Sequence, residues 1–296
     1  LQPPADGTGI IMIKENKYPF SGILIASDID GTFLGERSEV LDVNVKAIER
    51  FKALGGYFTF STGRTASALC RLVPNAAEIA NAPAILTNGA LITDLKTGRV
   101  IDARSLDPKE AREVLRDIIE RFPSVGMRIS QRERFVCPHT NEKLTRELKR
   151  FSDMTSFTDL DEISPENWDK VVFSAKYEEL CEVADHIKTA YKGRYAVSSS
   201  CATLLEMLEP DATKGKRVTE IKKLLSEKTG KDFISIGVGD YDNDLDMLRS
   251  ADIGACPENA LDEVKAVCRY HLCHHRDGAI ADLIGRLEKE MGGTGR

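Results

Sequence analysis

Two short runs, residues 22–27 and 233–238, are almost wholly apolar, and each leads into aspartates: Asp28 and Asp30 after the first, Asp240 after the second. Continuous apolarity without alternation predicts strands covered on both faces, as in a parallel sheet flanked by helices. The residues between such strands carry the matching rhythm. A helix is expected from 42 to 54, with Val43, Ala47, Ile48, Phe51 and Leu54 on one side. Asp42 is placed to cap its start and Gly55 to end it. A second strand over 57–61, a helix over 65–73 and a third strand over 84–87 follow. After Lys214 the alternation resumes, with a helix over 215–228, the strand 233–238, a helix over 244–250, a strand over 253–256 and a closing helix near Gly278. This is the pattern of right-handed βαβ units.

The chain between these halves reads differently. Asp107-Pro108-Lys109-Glu110 is a helix start, with a cap, a proline at the first position and an acid three residues on. Strand-like stretches at 125–130 and 134–137, a helix over 142–151, a strand over 170–176, a helix over 178–191 and two strands at 195–199 and 203–208 follow. Paired strands between helices predict an α+β layer. The expected fold is therefore α/β: a Rossmann-like parallel-sheet core from 1–90 and 209–296, with an α+β cap inserted over 91–208 and a tail over 1–17. Insertion is tolerated where the two ends of an insert lie close together.

The formal net charge of -6 opposes a general nucleic-acid or acidic-membrane binder, which needs a basic field. Any anion site must make its positive charge locally. No apolar run reaches the roughly 18 residues of a membrane span. The seven cysteines (70, 137, 181, 201, 256, 268, 273) are scattered, and residues 1–17 lack the order of a secretion signal. Reduced thiols and a cytoplasmic location are expected. Oligomeric state is not encoded legibly.

Four constellations carry chemistry. Asp28-Ile29-Asp30-Gly31-Thr32 ends the first strand. Ligands of open α/β sheets collect outside the carboxyl ends of the strands. Two acids two residues apart repel unless a cation joins them, and hard oxygen ligands favour magnesium. Ser61-Thr62-Gly63-Arg64 ends the second strand, where a hydroxyl and backbone N–H groups can hold a phosphoryl oxygen. Lys214 stands before a helix. Gly239-Asp240-Tyr241-Asp242-Asn243-Asp244 crowds acids and an amide at a strand end. Singly, each also fits an ordinary turn, cap or surface lysine; together they share one rim of one sheet. A competing cluster, Cys268, His271, Cys273, His274 and His275, fits no common zinc spacing. No phosphate loop of the Gly-x-x-x-x-Gly-Lys type and no Gly-x-Gly-x-x-Gly fingerprint occurs.

In their order — nucleophile loop, hydroxyl, lysine, acidic loop — the four constellations resemble the motifs of the haloacid dehalogenase superfamily of phosphatases. The Cof-type branch, with a large α+β cap between the second and third motifs, is the most similar. Asn88-Gly89-Ala90, Asn259-Ala260 and Asp277-Gly278 extend the resemblance, and Phe33-Leu34 stands where paired leucines are usual. The resemblance implies that Asp28 is the nucleophile and that Asp30 is the acid and then the base. Thr62, Gly63, Lys214 and Asn243 would bind phosphate. Magnesium would be held by Asp28, the main-chain carbonyl of Asp30, and Asp240. Asp244, Asn88, Gly89 and Arg64 would support them or meet the substrate.

The expected activity is hydrolysis of a small phosphorylated metabolite, such as a sugar phosphate. A phosphomutase would use the same aspartyl phosphate but pass the phosphoryl group to a second hydroxyl instead of water. A signalling module would keep a long-lived phospho-Asp28, yet an inserted lid that excludes water suits turnover.

Overall fold

The computed structural model describes residues 18–292. The expected tail lies outside them. The first part runs β1 (Ile23–Ser27), α1 (Asp42–Ala53), β2 (Tyr57–Phe60), α2 (Ala66–Leu72), α3 (Ala76–Ile79), β3 (Ala84–Leu86), β4 (Leu91–Asp94) and β5 (Arg99–Ala103). The middle runs α4 (Pro108–Arg121), β6 (Gly126–Gln131), β7 (Arg134–His139), α5 (Glu142–Leu148), β8 (Thr155–Phe157), β9 (Lys170–Ser174), α6 (Tyr177–Ala190), β10 (Ala196–Cys201) and β11 (Leu204–Leu208). The last part runs α7 (Lys214–Thr229), β12 (Ile234–Val238), α8 (Leu245–Ser250), β13 (Ile253–Cys256), α9 (Asp262–Lys265), β14 (Tyr270–His271) and α10 (Ala279–Gly292).

The core sheet has the order β14-β13-β12-β1-β2, with every pairing parallel. Each face of β1 is buried in a different cluster. Ile25 joins Phe51, Phe58, Leu283 and Ile284 on the side where α1 packs on α10. Leu24 and Ala26 join Val218, Ile221 and Met247 on the side of α7 and α8. That double burial is why the run shows no alternation. From β1 the chain crosses to β2 on one side and, after the insert, to β12 on the other. The gap beside β1 is thus the switch point where such sheets bind ligands.

The middle part folds as a six-stranded sheet, β10-β11-β9-β6-β7-β8, antiparallel except at the β7–β8 edge. Ala111, Val114 and Leu115 of α4 and Leu180, Val183 and Ile187 of α6 cover one face of it, meeting Met127, Ile129, Val171, Phe173, Leu205 and Met207. The Asp107 carboxylate caps α4, accepting from the N–H groups of Lys109 and Glu110. Trp168 is fully buried in this cluster and donates its indole N–H to the Ser164 carbonyl at 2.7 Å. Trp168→Ala is expected to cost about 3–5 kcal/mol, from lost burial and the cavity left behind. Urea unfolding of the variant reads that loss as a lower midpoint.

Two expectations need correction. Residues 91–103 do not join the six-stranded sheet: β4 pairs antiparallel with β3 and β5 antiparallel with β4, and β3 bridges to Ser61 beyond β2. Both faces of β4 are thereby spent on the core clusters, Leu91 in one and Ile92 in the other. The cap sheet's share of chain therefore starts after β5 and not at 91. Asp42 is also not a cap but the first helical residue, following Leu41, which makes no side-chain cap. At that position its charge still favours the positive end of the helix dipole. Gly55 follows the helix with φ of +94°, as the helix stop requires.

Candidate active site

Parallel pairing of Ser27 with Val238 brings the ends of β1 and β12 level, and the Asp28 N–H donates to the Val238 carbonyl at 2.8 Å. Asp28 and Asp240 thus emerge side by side. Lys214 opens α7 behind Thr213, whose hydroxyl caps the helix. The ammonium of Lys214 is fully buried and donates to Asp28 Oδ1 and Asp244 Oδ1, both at 2.7 Å. The other oxygen of Asp244 accepts from the N–H groups of Asp240 (3.0 Å) and Tyr241 (3.2 Å). Asp244 therefore braces the acidic loop.

Ligand atoms of Asp28, Asp240 and Asp244 lie within 4.8 Å of one another. Three carboxylates face one ammonium, which leaves two negative charges uncompensated if all are ionised. Burial pushes Asp28 well above the ordinary carboxylate range against the pull of Lys214, and Asp244, Asp240 and Asp30 add to the rise. Asp240 is raised to about 7, first by burial and then by Asp244, against a hydrogen bond from Thr32 and the charge of Lys214. Burial opposes the charge of Lys214, but Asp244 and Asp28 outweigh it and hold its pKa above the ordinary lysine value.

The hydrogen bonds decide which oxygens remain for a cation. Both oxygens of Asp244 are taken, as is Asp28 Oδ1, and Asp240 Oδ1 accepts from Thr32 at 2.7 Å. Among the described residues, Asp28 Oδ2, Asp240 Oδ2 and the Asp30 carbonyl accept no hydrogen bond. An excess of buried negative charge with unspent hard oxygens fits a divalent cation such as magnesium. Gly31 allows this closeness: with φ of +74°, a Cβ there would stand 2.5 Å from Asp240 Oδ2.

The second loop lies across the rim. Thr62 is buried, and its N–H is spent on the Ile85 carbonyl at 2.9 Å. Its hydroxyl accepts from the Arg64 N–H at 3.2 Å, while the Gly63 N–H has no hydrogen-bond partner among the described residues. Arg64 grips Asp30 with two bonds, 2.7 and 2.6 Å, and the Asp30 side chain is half exposed. Asn243 donates to Asn88 Oδ1 at 3.3 Å, and Asn88 donates to Glu206 at 2.7 Å. Gly89 has φ of +108°, and a Cβ there would stand 2.6 Å from the Thr213 backbone. Gly89→Ala is accordingly expected to destabilise the fold by about 1–3 kcal/mol and to shift Lys214. Turnover and the unfolding midpoint should both fall in that variant.

All the predicted residues meet at this rim. Sequence reading missed those that the six-stranded sheet contributes. Lys170 donates to the Gly63 carbonyl at 2.9 Å and to Glu206 at 2.5 Å, with both side chains buried. Glu133 accepts from the N–H groups of Ala66 and Ser67 at the start of α2. A cavity of about 350 Å³ lies between the layers, bounded by Asp28, Asp30, Thr62, Lys170, Glu206 and Asp240, among others. The signal was period-two alternation: Lys170 and Glu206 fall between residues of the cap cluster and so point away from it. The Cys268–His275 region serves the fold. His275 Nδ1 lies 2.7 Å from the Leu34 carbonyl, His271 Nε2 lies 3.0 Å from the Lys265 carbonyl, and the His275 N–H donates to Asn259. Asn259 in turn donates to the Gly31 carbonyl at 2.8 Å, which steadies the nucleophile loop.

The profile of the haloacid dehalogenase-like hydrolases matches residues 25–284. The putative phosphatase YxeH of Bacillus subtilis is 25% identical over 274 residues, covering 89% of this chain and 97% of that protein. A second B. subtilis protein, the 5-amino-6-(5-phospho-D-ribitylamino)uracil phosphatase YwtE, is 26% identical over 290 residues, covering 89% and 97%. The structure of the HAD subclass IIB sugar phosphatase BT4131 superposes with a TM-score of 0.73 at 20% identity, covering 89% of this chain and 98% of that one. The chain belongs to the haloacid dehalogenase-like hydrolases, and it shares the fold of that subclass IIB structure.

Proposed function

We propose that this enzyme hydrolyses small phosphate monoesters, of the size of a sugar phosphate, through an aspartyl phosphate at Asp28. The observation that carries the reading is the switch-point cluster: a buried carboxylate fixed by a buried lysine, with one oxygen unspent and uncompensated negative charge around it. Asp28 Oδ2 attacks phosphorus as the bond to the leaving oxygen breaks. Asp30 gives its proton to that oxygen. It then takes a proton from water, which attacks phosphorus, releases phosphate and restores the Asp28 carboxylate. Thr62, the Gly63 N–H and Lys214 hold the phosphoryl oxygens, and Asn243 adds an amide from the acidic loop. Arg64 keeps Asp30 aimed until the substrate enters.

Asp28, the Asp30 carbonyl and Asp240 would hold magnesium, with Asp244 as brace. When bound, the ion offsets the repulsion between a carboxylate and a phosphate and takes up charge in the transition state. The substrate reading is supported by the cavity's volume, which suits a small metabolite, and by the sugar phosphatase and the 5-amino-6-(5-phospho-D-ribitylamino)uracil phosphatase among similar proteins. No helix of the described residues is long and apolar enough to cross a membrane, which is compatible with work in the cytoplasm.

Stripping the metal with a chelator is expected to abolish turnover, and added magnesium to restore it. Calcium should bind and support little turnover, because its looser coordination misplaces the nucleophile. Undiminished turnover in excess chelator would contradict the metal assignment.

A further inference from the structure

The face of the six-stranded sheet opposite α4 and α6 is polar where it meets the cavity. Arg128 and Ser130 alternate with the core residues Met127 and Ile129 along β6, as Lys170 and Glu206 do on β9 and β11. Glu206 is committed to Lys170 and Asn88. Arg128 has no such partner: its Nη1 is buried and makes no hydrogen bond among the described residues, and the same holds for the Ser130 hydroxyl. The Arg128 guanidinium stacks 4.2 Å from the Phe135 ring centroid, and Arg150 stacks 5.1 Å from that of Phe151. The two rings meet edge to face at 5.5 Å, so they join the two arginines into one wall. Arg128, Ser130 and Arg150 line the same cavity as Asp28 and Thr62. The cavity's acids on the core side are Asp28 and Asp240, held at the switch point, and Asp30, gripped by Arg64. Glu206, which lines the cavity, attracts Arg128 without bonding to it, and Glu147, which does not line the cavity, adds a smaller pull.

We propose that this wall is a second anion site, and that the natural substrate is a phosphate monoester carrying another acidic group, a phosphate or a carboxylate, at its far end. Stacking on the aromatic rings fixes each guanidinium plane, which suits two-pronged recognition of a planar carboxylate or a phosphate. A buried guanidinium donor without an acceptor is costly, and a ligand anion would satisfy it. The proposal rests on the phosphatase reading for the end where chemistry occurs.

Matched substrates test it. Fructose 1,6-bisphosphate is compared with fructose 6-phosphate, 6-phosphogluconate with glucose 6-phosphate, and 3-phosphoglycerate with glycerol 3-phosphate. The ratio of kcat/KM within a pair is expected to favour the two-anion member by about ten- to hundredfold in at least one pair. A preference for the bisphosphate identifies phosphate as the second group, and a preference for an acid identifies carboxylate. Arg128→Gln should bring the ratio close to one, and Arg128→Lys should keep part of it. If Arg128→Gln fails to fold, Arg150→Gln is expected to lower the same ratio. Turnover of the one-anion members with no preference in any pair overturns the proposal and leaves the phosphatase reading standing. A preference untouched by both glutamine variants overturns it as well. If no phosphate is turned over, the phosphatase reading fails, and calorimetric titration with the two fructose phosphates decides the site. Tighter bisphosphate binding that is lost in Arg128→Gln supports it, and equal binding overturns it.

Discussion

Asp28→Asn is expected to lower turnover of every phosphate monoester by about 10⁴–10⁶-fold, the scale on which nucleophile removal acts in enzymes whose residues work as a unit. The amide keeps the shape of the side chain but cannot attack phosphorus. The same substitution should leave the metal-free protein as stable as the parent or more so. Asp28 is buried, raised well above its ordinary range and set beside Asp240 and Asp244, so the fold works against its ionised form. The amide removes that burden, while Lys214 retains Asp244 as a partner at 2.7 Å. Thermal unfolding in chelator checks this. Lost activity with an unchanged or higher midpoint identifies a strained functional carboxylate. Lost activity with a much lower midpoint would make Asp28 a structural residue.

Asp30→Asn is expected to discriminate between leaving groups. A sugar alkoxide leaves badly unless protonated, so hydrolysis of a sugar phosphate should fall by about 10²–10⁴-fold. Nitrophenolate leaves without help, so an aryl phosphate should still phosphorylate Asp28. The second step should then stall, because the base that activates water is gone. The observable is a burst of nitrophenol of about one equivalent per enzyme, then a slow steady rate, as expected of an accumulating covalent intermediate. Equal slowing of both substrates without a burst would show that Asp30 only anchors the loop, as its two bonds to Arg64 would also allow.

The rim was legible in the sequence because its acids follow apolar runs. A strand buried on both faces must end at the edge of the sheet, so Asp28 and Asp240 could be placed before any contact was known. What the sequence hid depends on pairing over long distances. Strands β4 and β5 carry short apolar stretches that would suit either layer, and only their ladder with β3 fixes them beside the core. Lys170, Arg128 and Glu206 went unread: their alternation with cap-cluster residues can mark them as leaving that cluster, but not what they meet. The bonds from Lys170 to Gly63 and from Asn88 to Glu206 span more than a hundred residues. The Arg64 grip on Asp30 likewise joins two loops that no local pattern connects. At the start of α1, a shift of one residue turned the expected cap into a first-turn acid, because Leu41 holds the extended backbone of the cap position.

Covalent transfer of the phosphoryl group to Asp28 underlies the proposed hydrolysis. Its most direct measurement mixes magnesium-loaded Asp30→Asn enzyme with an aryl phosphate labelled at phosphorus, stops the reaction in acid within one turnover, and maps the label on peptides. Close to one label per enzyme is expected, confined to the peptide that carries Asp28 and absent when Asp28→Asn is combined with Asp30→Asn. Release of labelled phosphate with no labelled peptide at any time within the turnover would contradict it, because water would then attack the substrate directly.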